Sequence, residues 1–402
     1  MKFRIDKSLI GYGVVAAAVW LGWEVVKTPI ATRAPPRLAI RVAPTSPEVL
    51  RRAAEAELAA GNLENARVLS SESLARAPFN ARTLRVLGLG LAQAGERERA
   101  DSVLTLAGNL SLRDDPTHAW LIEQRLRQGD YASAFAHADT LARRGIDAQD
   151  RVFDLFATAA LVDHSRALRP LAGLLARDPP WRADFLRYLI RRADGDTLLL
   201  GLGIVLSRTS TPLSDVELSA VYQNWLGERR LQAIILLRAN TNRPARSNGV
   251  SNGDFFTPAE REILPFGWYL PPHPGISASV FDDDLRPDNR ALRIEYDGYA
   301  GGIVAQQVLT ALPGKRTLTG EYRSEIPHGR PRFRWSILCV ESERLLHAWT
   351  VDPDAIEAQW RAFDEDFVVP ETGCSMQTLR LETVPGDRRA FTVTWFDKLG
   401  LN

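Results

Sequence analysis

Cysteine is scarce in this chain: only Cys339 and Cys374, both near the C-terminus. Two cysteines exclude a zinc ribbon and a disulfide-dense scaffold. One disulfide is allowed in an oxidising compartment, and two buried free thiols fit the sequence equally well. Charge of one sign is also lacking, with 50 Lys and Arg against 49 Asp and Glu. No basic block stands out, so a general nucleic-acid role has no electrostatic footprint. The six histidines (118, 137, 164, 273, 328 and 347) are isolated and form no HExxH or other ligand pair. There is no GxSxG, and Gly314-Lys315 lacks the upstream glycine of a P-loop. Gly88-x-Gly90 and Gly201-x-Gly203 fall inside helical segments and are not dinucleotide loops. Carboxylates are plentiful, but the sequence singles out no pair for glycoside hydrolysis. These absences point away from an enzyme and call for no cofactor.

At 402 residues the chain is long enough for two or more folded units. Lys2, Arg4 and Lys7 form a short basic N-terminus over 1–7. An apolar stretch follows, interrupted only by Glu24, with Tyr12, Trp20 and Trp23 suited to a membrane interface. The expectation is an uncleaved transmembrane helix over 8–26. A cleaved signal peptide, with Ala16-Ala17-Ala18 as its small-residue site, is the alternative. A short basic N-terminus before one span stays in the cytoplasm. That predicts a single-pass bacterial inner-membrane protein with the bulk of the chain periplasmic. Residues 27–45 carry Pro29, Pro35, Pro36 and Pro44, a density that predicts a semi-stiff linker without helix.

From Ser46 the pattern turns helical and acquires a period. Gly61, Gly95 and Gly129 are 34 residues apart, and so are Ala66, Ala100 and Ala134. The second copy reads Leu84-x2-Leu87-Gly88-x2-Leu91, then Gly95, then Ala100-x3-Leu104. Small residues such as Gly88 let paired helices approach closely, and each spaced glycine falls where a first helix ends. This stretch resembles the tetratricopeptide repeat, whose hairpins recur every 34 residues. The resemblance implies an all-α solenoid over 46–241 that holds a protein partner. Beyond 144 the copies decay, although Phe153–Ala160 and Ala167–Leu174, Trp181–Arg192 and Leu198–Leu206, and Val216–Leu226 and Arg230–Arg238 still read as pairs.

Asn, Ser, Pro and Gly cluster around a linker at 242–250. After it the period becomes two, over 251–402. Leu292, Ile294 and Tyr296 alternate with polar residues, as do Phe333, Trp335, Ile337 and Cys339. Turn residues at Pro313-Gly314, His328-Gly329 and Pro385-Gly386 separate the runs, which predicts an antiparallel β-sandwich. By the same parity Tyr296, Tyr322, Trp335 and Trp395 belong to the core. Arg293, Glu295, Glu321, Arg323, Arg334, Arg380 and Glu382 form an outward polar row.

The layout of this segment resembles jelly-roll carbohydrate-binding modules. The residues that carry the resemblance are Asn252-Gly253-Asp254-Phe255, Pro265-Phe266-Gly267-Trp268, Leu312-Pro313-Gly314-Lys315 and Thr394-Trp395-Phe396-Asp397. The resemblance implies glycan binding beside a structural calcium, with Asp254 and Asp397 as the metal candidates. Asp282-Asp283-Asp284 with Asp288 is read as a solvated acidic turn. Sugars stack on aromatic rings and hydrogen-bond through their hydroxyls. The glycan candidates are therefore Trp268, Tyr269, Tyr299, Trp349 and Trp360 in the less regular segments, and Arg323 from the polar row. The expectation is a multidomain, non-enzymatic scaffold: anchor, helical repeats for a protein partner, and a sandwich for glycan in envelope or exopolysaccharide assembly. The rivals are a purely protein-binding scaffold of a secretion or envelope complex, and a polysaccharide-modifying enzyme.

Overall fold

The computed structural model describes residues 18, 20–23, 25–27, 29–241, 249–258, 262–325, 333–351, 359–386, 389 and 391–402. Two compact units result, one reaching to Leu174 and one running Leu175–Asn402.

The first unit is a series of helical hairpins: α1 (Pro36–Val42), α2 (Pro47–Ala59), α3 (Leu63–Arg76), α4 (Ala81–Gln93), α5 (Arg97–Leu110), α6 (Asp115–Arg127), α7 (Tyr131–Ala142) and α8 (Ile146–Val162). The spaced glycines have a backbone reason. Gly61, Gly95 and Gly129 have φ of 79°, 85° and 69°, the left-handed conformation that ends a helix and that side chains disfavour. Ala66, Ala100 and Ala134, five residues later, are all buried. Gly88 is a close approach: a Cβ built there would lie 2.5 Å from Leu104 Cγ.

Most of the expected span over 8–26 lies outside the described residues. Among those described, no helix is long and apolar enough to cross a membrane. The single-pass inner-membrane placement is therefore withdrawn. The proline-rich stretch differs from expectation too. Residues 29–33 are helical, α1 begins at Pro36 and α2 at Pro47. Proline at the first helical position loses only an N–H that has no partner there, so it starts helices as readily as it breaks them. Ala31, Ala39 and Ala43 pack with Val49, and Arg52 donates to the carbonyls of Ala31 and Thr32.

The second unit takes α10 (Arg182–Arg191), α11 (Gly195–Leu206), α12 (Asp215–Gly227) and α13 (Leu231–Asn240), with α9 (His164–Leu175) ending at its start. Among the described residues it also takes nine antiparallel strands: β1 (Ile276–Asp282), β2 (Arg290–Tyr296), β3 (Ile303–Leu309), β4 (Gly314–Ser324), β5 (Phe333–Cys339), β6 (Leu345–Thr350), β7 (Arg361–Val369), β8 (Gln377–Thr383) and β9 (Thr392–Leu401). They form a five-stranded sheet, β1-β2-β9-β4-β7, and a four-stranded sheet, β3-β8-β5-β6. Leu292, Ile294, Tyr296, Tyr322, Phe333, Trp335, Leu379, Leu381 and Phe396 fill the space between them. Helices and sandwich meet within this unit. Tyr222 of α12 lies edge-on to Phe266, with ring centroids 5.4 Å apart, and the Leu264 N–H donates to Ser219 Oγ at 3.0 Å.

Candidate functional site

Strand parity places the polar row of the sequence on two different surfaces. In β5 the apolar Phe333, Trp335 and Ile337 turn inward, so Arg334 and Ser336 turn outward. In β8 Leu379 and Leu381 turn inward, and Arg380 and Glu382 turn outward. The register aligns Gln306 of β3 with Arg380, Arg380 with Ser336, and Ser336 with Ala348 of β6. A short bridge extends this line by one residue. Tyr269 pairs with Gln306 through two backbone hydrogen bonds of 2.9 and 3.0 Å. Its ring is 44% exposed, on the same side as Gln306.

This row, Tyr269–Gln306–Arg380–Ser336, holds unused polar capacity. Arg380 Nε and Ser336 Oγ are shielded from solvent and have no hydrogen-bond partner among the described residues. Ser336 as a whole is only 4% exposed. The nearest counter-charge, Glu382, is 3.7 Å from the Arg380 guanidinium, and it also accepts from Arg334 at 3.4 Å. Buried polar atoms are nearly always satisfied in folded proteins, so a pair of orphans on one face calls for an explanation. Chemically the row offers an aromatic ring, an amide, a guanidinium and a hydroxyl across the strands, with the Glu382 carboxylate beside it, two residues along β8 from Arg380.

The outward residues of the five-stranded sheet are already occupied. Arg293 pairs with Trp395 and Trp395 with Arg323 in the strand register. Trp395 thus points away from the main core and packs with Ala291, Val393 and Trp360 in a separate cluster. The parity reading reversed β9 because its inward residues, Thr392 and Thr394, are the polar ones. Arg323 is 1% exposed, beneath the β1–β2 loop, where it pairs with Asp283 at 3.2 Å and with Asp284. Trp360 Nε1 donates to Asp283 Oδ2 at 3.0 Å. Asp282, Asp284 and Asp288 are exposed, as a solvated acidic turn requires, while Asp283 is buried and clamps Arg323.

The six glycan candidates fall in separate places. Trp268 is 2% exposed, stacks on Phe255 and donates from Nε1 to the Asn252 carbonyl, so it is core. Arg323 is likewise buried, with Trp360 as its neighbour at 5.6 Å. Trp349 sits at the sandwich edge, stacked on Trp335 and beside the His347–Glu365 pair of 2.9 Å. Tyr299 is exposed on the β2–β3 loop, where Asp297 Oδ1 accepts its N–H. Only Tyr269 joins the row described above. Gln306 and Ser336 were missed because neither type stands out in a sequence; the outward parity of Arg380 was the available signal.

The calcium expectation does not fit the residues present. Asp397 is buried, and Asn289 Nδ2 and the Lys398 N–H donate to its two oxygens at 2.9 and 2.7 Å. Arg286 lies 3.8 Å away, and burial pushes the carboxyl above its usual range. An acid whose oxygens both accept from donors beside a cation is poorly placed to bind a metal. Asp254 is the exposed end of a turn over 251–254 whose Asn252 and Gly253 are buried. Among the described residues, no group of three or more His, Cys, Asp or Glu could hold a metal ion. Cys339 and Cys374 are joined in a disulfide, with Cα atoms 5.1 Å apart.

No protein-family profile matches the chain, and no curated protein matches it in sequence. Solved structures do match over the sandwich segment, and several of them are carbohydrate-binding modules. A family 4 carbohydrate-binding module is similar at 19% identity, over 38% of this chain and 98% of its own, with a TM-score of 0.30. A family 61 module solved with β-1,4-galactotriose is similar at 15% identity, over 39% and 97%, with a TM-score of 0.29. A xylan-binding family 22 module from Paenibacillus barcinonensis is similar at 12% identity, over 37% and 90%, with a TM-score of 0.27. These values describe a likeness and decide nothing about a ligand.

Proposed function

We propose that this chain is a non-catalytic adaptor whose four-stranded sheet face binds a glycan and whose helical hairpins hold a protein partner. The observation that carries the glycan reading is the row Tyr269–Gln306–Arg380–Ser336. An open ring lies in one cross-strand row with Arg380 and Ser336, whose Nε and Oγ lack partners among the described residues. A sugar matches both halves of that chemistry. Its C–H face stacks on Tyr269, and its hydroxyls both donate and accept, which suits the part-exposed Arg380 and Glu382. The coupling of such a face to partner-binding helices suits the handling of a polysaccharide during its assembly or export.

The test uses the full chain in affinity gels and titration calorimetry with neutral and acidic polysaccharides. Tyr269→Ala and Arg380→Ala should each weaken retention by about tenfold, the scale of one lost stacking or charge-assisted contact. Retention on no polysaccharide, or retention indifferent to both substitutions, would discard the assignment.

A further inference from the structure

The first unit carries a cleft whose charges do not cancel. It has a volume of about 390 Å³ and is lined by five arginines (51, 82, 85, 113 and 144) and three carboxylates (Glu55, Asp114 and Asp115). The carboxylates are all taken. Glu55 pairs with Arg51 and Arg85 at 2.5 and 2.6 Å, Asp114 pairs with Arg85, and Asp115 pairs with Arg144. Arg82 and Arg113 are left over. Both are exposed, and their guanidiniums make no hydrogen bond or ion pair among the described residues.

The cleft continues past Asp115, Pro116 and Arg144 into a second hollow of about 360 Å³. Its walls there are apolar: Ile122 of α6, Leu141 of α7, and Val152 and Leu155 of α8. Arg151 on its rim is again without a hydrogen bond or ion pair among the described residues. Along one groove, therefore, unpaired cations flank an apolar seat.

We infer that this groove binds an extended acidic peptide, with carboxylates on Arg82 and Arg113 and an adjoining apolar side chain in the hollow beside Val152 and Leu155. Charge complementarity selects the acidic groups. Neither Arg82 nor Arg113 makes an ion pair among the described residues, Arg82 reaching Glu48 only at longer range, so a ligand gains their charge without breaking a pair. The apolar hollow selects a peptide over a polyanion that lacks apolar side chains. The inference rests on the helical unit being a partner-binding surface, and it names the partner's chemistry.

Fluorescence anisotropy on the full chain tests it with a labelled peptide in which Asp and Glu flank a Leu-Phe pair. One control replaces the acids by Asn and Gln, and a second replaces Leu-Phe by Ser-Ser. The acidic apolar peptide should bind about tenfold or more tightly than either control, and should weaken as salt is raised. The double variant Arg82→Gln with Arg113→Gln should lose that preference while its thermal melt moves little, because neither arginine makes a hydrogen bond or ion pair among the described residues. Equal binding of the neutral control would overturn the acidic specificity and leave a partner-binding surface standing. No binding by any member of a random peptide library would overturn that surface itself. Tighter binding of heparin than of the peptide through the same two arginines would make the groove a polyanion site and reject the peptide.

Discussion

Arg323 lies with its guanidinium carbon 4.4 Å from the ring centre of Trp395, and both side chains are buried on the outer surface of the five-stranded sheet. The pair explains why that surface is closed. The Trp360 ring also lies 5.6 Å from the Arg323 guanidinium carbon, and Asp283 and Asp284 neutralise the charge. A cation so enclosed serves stability rather than ligand binding. Arg323→Ala would leave the buried Asp283 uncompensated and should cost about 3–5 kcal/mol, the range for breaking one partner of a buried pair. Urea unfolding of the full chain reads it, and a loss below about 1 kcal/mol would show the clamp to be peripheral.

Trp268 and Tyr269 are adjacent in sequence and opposite in role. Trp268→Ala should cost about 3–5 kcal/mol through the cavity it leaves beside Phe255. Tyr269→Ala should change stability by less than about 0.5 kcal/mol, as exposed substitutions do. Thermal melts of the two variants side by side check this. Equal losses would mean that Tyr269 is part of the packing and not an open face.

Among the glycines of the repeat, Gly95 has φ of 85° with open space around its Cα. Gly95→Ala should therefore cost about 1–2 kcal/mol from backbone strain alone. At Gly88 the cost has another source: the new methyl would press on Leu104, and overpacking of this kind costs about 1–3 kcal/mol. A second substitution separates the two mechanisms. Shortening Leu104 to Val should recover part of the Gly88→Ala loss and none of the Gly95→Ala loss, as judged by a double-mutant cycle.

A pH effect follows from His118 and His137, whose Nδ1 atoms lie 3.2 Å apart. Burial first, then His118 and Arg125, hold His137 down from 6.5 to about 4. The folded state thus binds this proton less well than the unfolded chain does. Stability contributed by the neutral ring is complete above about pH 6.5 and is lost as pH falls towards about 4. The melting temperature of the wild type should drop over that window more than that of His137→Gln. Parallel melting curves for the two proteins would remove the histidine pair as the cause.

The amino-acid sequence alone determined the helical hairpins and the strand-rich end. Both are periodic signals: Gly61, Gly95 and Gly129 recur because each hairpin needs the same left-handed turn. Leu292, Ile294 and Tyr296 alternate because a strand buries every second residue. Parity failed in β9, where threonines face inward and Trp395 outward, since side-chain polarity there follows the neighbours on each face rather than a core-and-solvent split. Only the tertiary structure decided which residues meet. Strand register, set by pairing across distant segments, put Tyr269, Gln306, Arg380 and Ser336 in one line and sent Arg323 beneath Asp283. The packing of α2, α4 and α6 decided which arginines find carboxylates and left Arg82 and Arg113 without one. Local pattern reports the period of an element and its buried face. It carries no information on partners some 30 to 75 residues away, and those partners define both surfaces of interest here.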